Sequence, residues 1–198
     1  MNAPRRKSRP NGIGRFRIIG GRWRGRRLQF PDTGQLRPTP DRVRETLFNW
    51  LAPIIDGAIC LDLYAGSGAL GLEAISRGAG ECVFVERSDE SLDAIRSHAA
   101  ALESEQCVLV RSDAISYLRR CKRNFDVIFL DPPFAVHPWQ QLLQEIVAGR
   151  LLRPGGRIYM EAPAETGAPA LPAELALLRS KRAGRVGYHL AAASQETS

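Results

Sequence analysis

No apolar run in these 198 residues approaches the ~20 needed to span a bilayer, which excludes a membrane-spanning helix. The basic stretch Met1–Pro10 leads into no apolar segment and does not read as a secretory signal, so the expected compartment is the cytosol. Cysteine is scarce. Cys60, Cys82, Cys107 and Cys121 lie far apart and form no C-x-x-C pair, so neither a zinc knuckle nor a redox motif is written here, and buried reduced thiols are expected. His98, His137 and His189 are equally scattered, and no metal is expected. Internal repeats and low-complexity linkers are also missing. With 44% hydrophobic and 25% charged residues, the composition is that of a soluble globular protein, and the length suits one α/β domain with a short extension.

What is plentiful is positive charge, and it is unevenly placed. Met1–Arg44 holds 13 Lys and Arg against 2 acids, a net of +11; the remainder holds 15 against 19, a net of −4. A solvated tail is one reading of that bias. A polyanionic partner explains it better, because Lys and Arg neutralising phosphates supply most non-specific nucleic-acid affinity. Within this end, Arg15–Phe30 (RFRIIGGRWRGRRLQF) makes two short alternating stretches around Gly20-Gly21, with arginines interleaved among Ile18, Trp23, Leu28 and Phe30. The pattern predicts a basic hairpin or loose arm over residues 1–35. Thr39 then suits a helix N-cap and Pro40 the first helical position. Val43, Leu47, Trp50 and Leu51 recur at helical spacing until Pro53 stops them.

From Ala58 the pattern becomes alternating strands and helices. Apolar runs of strand length end at Tyr64, Glu86, Val110, Asp131 and Glu161, and Leu92, Ile95, Ala99 and Leu102 mark the clearest helical face, with cap and dipole chemistry from Ser88, Asp89 and Glu90. Such alternation predicts a Rossmann-like α/β fold: a mostly parallel sheet with helices on both faces. Leu175–Lys181 and Arg185–Leu190, joined at Arg182-Ala183-Gly184, add an antiparallel C-terminal hairpin.

The first of these strands runs into Gly66-Ser67-Gly68-Ala69-Leu70-Gly71, a G-x-G-x-x-G, with Glu86 about 20 residues on. That pair fits a nicotinamide dinucleotide as well as another nucleoside, since a carboxylate after the second strand binds ribose hydroxyls in either case. Asp62, ahead of the glycines, would repel a pyrophosphate and attract the amino group of a methionine moiety; its other reading is a hydrogen bond to the glycine loop. Asp113, in Ser112-Asp113-Ala114, either meets an adenine amine or caps a helix. The deciding element is Asp131-Pro132-Pro133-Phe134, at the carboxyl end of the most apolar strand, where open α/β sheets bind ligands. A dehydrogenase has no need of it.

These residues resemble the class I methyltransferases that modify exocyclic amines, and more closely the RsmD family of 16S ribosomal RNA guanine-N2 methyltransferases. The resemblance runs through RIIGGRWRGRRL at 17–28, LRPTPDRVRETLFNWL at 36–51, LDLYAGSGALGLEA at 61–74, DPPF at 131–134 and AGRVGYHL at 183–190. It implies a class I methyltransferase domain over 36–198, with a seven-stranded sheet. It also implies S-adenosyl-L-methionine as cofactor and S-adenosyl-L-homocysteine as product. By resemblance, Asp131, Pro132, Pro133 and Phe134 hold the target amine and base. Asp62, Ala65, Gly66, Ser67, Gly68, Glu86, Arg87, Asp113 and Ala114 hold the cofactor, with Thr39 and Arg42 near the cofactor or target. Arg15, Arg17, Arg22, Arg24, Arg26, Arg27 and Arg37 are expected to grip RNA, while Trp23 stacks on a base or packs beneath the hairpin. The implied partner is 16S rRNA within the 30S subunit or its precursor, met by a monomer away from any membrane. A DNA or RNA adenine-N6 methyltransferase would share the DPPF pocket. A non-enzymatic ribosome-assembly factor would not need Gly66, Gly68, Glu86 and Asp131 intact.

Overall fold

The computed structural model describes residues 12–32, 39–134 and 138–194. Strand alternation shapes the first element pair: β1 (Gly12–Arg17) lies antiparallel to β2 (Arg27–Asp32), with Phe16, Leu28 and Phe30 buried and Arg15, Arg17, Arg27 and Gln29 exposed. Between them, Ile18 and Trp23 (in a 3-10 turn at Gly21–Trp23) join the same buried cluster as the rest of one sheet face. The segment is therefore a docked hairpin, not a loose arm.

Helix α1 (Asp41–Leu51) buries Val43, Leu47 and Leu51, as its spacing predicts, but the fourth apolar position is Phe48, while Trp50 is half-buried. Its start differs from expectation. Pro40 takes the cap position, and its carbonyl accepts from the amides of Val43 and Arg44 at 2.9 and 3.0 Å. Thr39 is not the cap: its hydroxyl donates to Glu161 Oε1 at 2.6 Å. A buried carboxylate is a stronger acceptor than solvent-side amides are donors, so the hydroxyl turns inward.

The alternating elements follow in order: β3 (Ile59–Asp62), α2 (Ala69–Ser76), β4 (Glu81–Glu86), α3 (Asp89–Ala101), β5 (Cys107–Arg111), α4 (Ala114–Arg120), β6 (Phe125–Leu130), α5 (Trp139–Ala148), β7 (Leu152–Pro163), β8 (Leu175–Ala183) and β9 (Val186–Ala193). They form a seven-stranded sheet of order β5-β4-β3-β6-β7-β9-β8, parallel from β5 to β7 and antiparallel at β9 and β8. The hairpin, α1, α2 and α3 cover one face, and α4 and α5 the other. Burial on both faces is why β6 reads as a nearly continuous apolar run, broken by the half-buried Asp126. Ser88 caps α3 as expected, accepting from the Ser91 amide at 3.2 Å. Strand order reverses between β3 and β6, which opens a crevice at their carboxyl ends.

One cluster of polar contacts fixes the hairpin to this frame. Glu73, on α2 and fully buried, accepts from the amides of Ile19 and Gly20 at 2.8 Å each. It also pairs with Arg44 at 3.2 Å and Arg77 at 2.7 Å. Ser76 Oγ accepts from the Trp23 amide and donates to the Gly20 carbonyl. Gly21 sits at φ +73°, where a Cβ would lie 1.7 Å from the Ser76 carbonyl oxygen, so no side chain fits.

Candidate active site

The carboxyl ends of β3, β4, β5, β6 and β7 bring the expected residues to one edge of the sheet. β3 ends at Asp62 and turns through Ala65-Gly66-Ser67, all buried, to Gly68, the residue before α2. Gly68 is left-handed at φ +77°, and a Cβ there would meet Ile95 at 2.9 Å, so the tight turn needs glycine. Asp62 accepts from the Gly71 amide at 3.0 Å, which is the glycine-loop reading of that residue. The same contact sets a carboxyl where a pyrophosphate would otherwise approach the helix terminus. Burial, together with the charges of Glu86 and Glu161, pushes the Asp62 carboxyl up to about 7, against the lowering effect of the Gly71 amide.

Glu86, at the end of β4, accepts from the Gly66 amide at 3.0 Å through Oε2, and from the Arg87 and Ser88 amides at 2.7 and 3.0 Å through Oε1. It ties the glycine loop to the next turn. Arg87, Arg111, Ser112 and Asp113 line an open depression of about 310 Å³ beside it. Asp113 is exposed and caps α4, accepting from the Ser116 amide at 2.9 Å; the Ser116 hydroxyl, and then that amide, hold its carboxyl below the usual range. Ala114 is buried under the same turn. A nucleoside with ribose hydroxyls and a cationic tail suits this donor and acceptor set better than a dinucleotide does, because carboxyls at Asp62 and Glu86 flank the loop.

β6 delivers Asp131-Pro132-Pro133-Phe134 to the neighbouring position. Asp131 is half-buried, Pro132 buried, Pro133 exposed, and Phe134 38% exposed, so the ring is free to meet a planar ligand. Register places Leu130 opposite Met160, which sets Asp131 beside Glu161 at one strand spacing, roughly 4.8 Å. Glu161 is buried, and its Oε1 accepts from the hydroxyls of Thr39 at 2.6 Å and Tyr159 at 2.9 Å. Burial, then the charges of Glu161 and Asp62, raise the Asp131 carboxyl well above the ordinary range, while the Thr39 hydroxyl acts the other way. Burial raises Glu161 too, opposed by Thr39, Tyr159 and the Arg44 charge. Glu161 thus has three partners that oppose the rise and Asp131 has one, so the two carboxyls are unequally supported in their charged form.

Sequence reasoning named Asp62, Glu86 and Asp131 but missed Glu161 and Tyr159. The available signal was the one used elsewhere: a carboxylate closing an apolar strand. Arg42 is exposed on the first turn of α1. The expected RNA-gripping arginines are divided. Arg15 and Arg27 are exposed on the outer face of the hairpin, and Arg17 pairs with Asp41 at 3.1 Å. Arg22, Arg24 and Arg26 lie in the connecting loop, which docks on Ser76 at the end of α2, so they sit near the amino ends of the strands, away from Asp131. Trp23 is 7% exposed beneath Arg22, which is the packed reading. Arg37 lies outside the described residues. Among those described, no group of three His, Cys, Asp or Glu side chains could hold a metal ion, and no helix is long and apolar enough to cross a membrane.

The family described as Conserved hypothetical protein 95 matches residues 16–192. The chain is 43% identical over 185 residues to ribosomal RNA small subunit methyltransferase D of Escherichia coli K12, covering 93% of each. Its fold superposes on the structure of the putative methyltransferase yhhF from Escherichia coli with a TM-score of 0.83 and 42% identity, covering 90% of this chain and 97% of that one. A more distant neighbour is the Thermus thermophilus 16S rRNA N2 G1207 methyltransferase RsmC, solved with AdoMet and guanosine. There the TM-score is 0.65 at 25% identity, covering 93% of this chain and 52% of the other. With a family match over most of its length and a relative this similar, the chain belongs to the RsmD family of methyltransferases.

Proposed function

We propose that this protein transfers the methyl group of S-adenosyl-L-methionine to the exocyclic N2 amine of a guanine in 16S ribosomal RNA, acting on the small subunit or its precursor. The observation that carries this reading is that Asp131-Pro132-Pro133-Phe134 follows the carboxyl end of β6, next to β3 and its Gly66–Gly68 loop, which Glu86 holds from the far side. Glu86 would hold the ribose, the Asp113 turn the adenine, and Asp62 the cationic amino acid end. The bound cofactor supplies an electrophilic methyl group.

The protein's own task is positioning. An aniline-like nitrogen keeps its lone pair delocalised into the ring. The Asp131 carboxylate and Pro132 carbonyl accept its two hydrogens and turn the lone pair toward the methyl carbon at ~3–3.5 Å. Phe134 stacks on the base. On transfer of the methyl group that the cofactor would supply, the nitrogen would shed a proton, and the Asp131 carboxylate would be the group placed to receive it. A base inside a duplex does not reach this pocket, so the target is unpaired or flipped out. Arg15, Arg17 and Arg27 of the hairpin, with Arg37, offer phosphate contacts as the RNA leaves the site, and Arg22, Arg24 and Arg26 extend that basic path toward the far edge.

The test is transfer of radiolabelled methyl to unmodified small subunits, protein-free 16S RNA and DNA, followed by nucleoside analysis. N2-methylguanine in the ribosomal samples is expected; N6-methyladenine would overturn the target. Asp131→Ala should fold, bind S-adenosyl-L-methionine and lose at least ~10²-fold in transfer. Wild-type turnover in that variant would sink the amine contact.

A further inference from the structure

The segment Leu175–Ala193 holds Arg179, Lys181, Arg182 and Arg185 and no acidic residue. Antiparallel register fixes where they sit. Ala183 pairs with Val186 and Val186 with Pro163, so the β8–β9 turn lies at the carboxyl edge, the edge that carries the active site. Lys181 pairs with Tyr188, and Tyr188 with Glu161, which stands beside Asp131. Three strand spacings separate β8 from β6, roughly 14 Å.

All four cations are exposed, and among the described residues none forms an ion pair. Elsewhere on the molecule exposed arginines do find carboxylates: Arg119 meets Glu145 at 2.7 Å and Arg153 meets Asp126 at 2.8 Å. At the β8–β9 tip the side chains are held without being neutralised. Arg182 Nε donates to the Gly184 carbonyl at 3.0 Å, and Arg179 donates to the Leu178 carbonyl at 3.0 Å. Lys181 Nζ lies 5.8 Å from the ring centre of Trp50, which stacks on Tyr188. Four unpaired cations, with Lys181 in register with the reacting carboxylate and the others within a few residues of it, complement a polyphosphate backbone. The N-terminal hairpin cannot serve here with its loop, because Arg22 and Arg24 lie at the opposite edge, the six-residue length of β4 away. The exposed Leu177 and Leu178 on β8 lie lower on the strand, with Leu177 level with Ala191, so the part nearest the site is charged rather than apolar.

We propose that the β8–β9 hairpin tip, through Arg179, Lys181, Arg182 and Arg185, is a second RNA-backbone contact that grips the phosphates flanking the target nucleotide. This rests on the RNA reading above for the identity of the target, although it has a readout of its own. The RNA is clamped from two sides of the pocket, by the outer face of β1–β2 and by this tip.

The experiment compares the wild-type protein with the Arg179→Ala, Lys181→Ala, Arg182→Ala, Arg185→Ala variant for binding to a protein-free 16S transcript across a KCl series. A salt slope lower by about 3 is expected, since each lost phosphate contact removes ~0.7–0.9. Loss of transfer should fall on KM for RNA rather than on kcat, with cofactor binding and melting temperature unchanged as fold controls. A variant with Lys at all four positions should restore the slope. An unchanged slope overturns the proposal. Normal transcript binding with loss only on assembled subunits also overturns it, by making the tip a contact for a ribosomal protein. A reduced slope in a chain whose wild type methylates no RNA would sink the catalytic reading and leave this surface standing.

Discussion

Two charge clusters, one buried and one buried except for the half-buried Asp131, lie on the same face of the sheet, and they have opposite constitutions. Around α2, Glu73 faces Arg44, Arg77 and two backbone amides, while Arg44, itself fully buried, also reaches Asp41 at 2.6 Å and the carbonyls of Thr39 and Arg17 at 3.2 and 2.7 Å. Charge and hydrogen-bonding capacity are both met. At the carboxyl edge, Asp62, Asp131 and Glu161 lie close together with no ion-paired cation of their own among the described residues. Their donors are one amide and two hydroxyls. A matched cluster fixes geometry and is felt only when a partner is removed. An unmatched cluster of like charge works against stability and is kept where chemistry needs shifted carboxyls. Thr39 joins the two: its carbonyl takes Arg44 and its hydroxyl takes Glu161.

The comparison breaks most visibly at Glu73. Glu73→Ala strands the Arg44 guanidinium and leaves the amides of Ile19 and Gly20 without acceptors in a buried place. The expected loss is about 3–5 kcal/mol, or roughly 10 °C in melting temperature by calorimetry. Amide exchange at Ile19, Gly20 and Trp23 should speed up while β3 and β6 stay protected. Changing both partners to apolar residues, Arg44→Met with Glu73→Leu, should recover part of the loss. A single-variant cost below ~1 kcal/mol would mean that the cluster does not hold the hairpin.

Asymmetry of this kind also marks what the sequence discloses. The strands from β3 to β6 are legible within a few residues because each is a local apolar run bounded by charge or glycine, whereas β7 starts at Leu152, ahead of its apolar run at Arg157; the places of Gly68, Glu86 and Asp131 are legible because they follow from position at a strand end. Thr39 is not. Its choice between capping α1 and bonding Glu161 depends on a contact 122 residues away. Glu73 likewise reads as one polar position on a helix until Gly20, 53 residues earlier, is brought to it. The arginines of residues 15–27 read as one group, and only the docking of Trp23 on Ser76 separates those of the loop from those of the strands.

A smaller effect is expected at Asp62, where the sign follows from the direction of the shift. Its carboxyl is raised to about 7 in the fold, against ~3.9 in an unfolded chain. The folded state thus binds the proton more tightly, and the stability that the protonated form confers is full below about pH 4 and lost as pH rises toward 7. Asp62→Asn keeps an oxygen for the Gly71 amide and cannot ionise. At pH 8 it should be more stable than wild type by about 1–3 kcal/mol, a difference that narrows toward pH 4, while S-adenosyl-L-methionine binding weakens. Equal melting differences at pH 5 and pH 8 would show that Asp62 does not titrate in this range.

The finest test separates the paired carboxyls. In the proposed mechanism Asp131 accepts the target amine only when ionised, so kcat/KM should fall on the acid side as its proton returns, at a pH above the usual carboxylate range. The groups facing it are Glu161 and Tyr159 from β7, Asp62 from β3 and Thr39 from the turn before α1, with Arg44 acting through Glu161. Glu161→Gln leaves an oxygen for the Thr39 and Tyr159 hydroxyls, so the side chains keep their places while one negative charge is removed. Asp131 should then ionise more easily, and the acid limb should move to lower pH with the plateau little changed. Asp62→Asn should move the same limb less, because the Asp62 charge raises Asp131 less than Glu161 does. An acid limb that stays in place in Glu161→Gln but shifts in Asp62→Asn would assign the titration to the cofactor end of the site and remove Asp131 from proton acceptance.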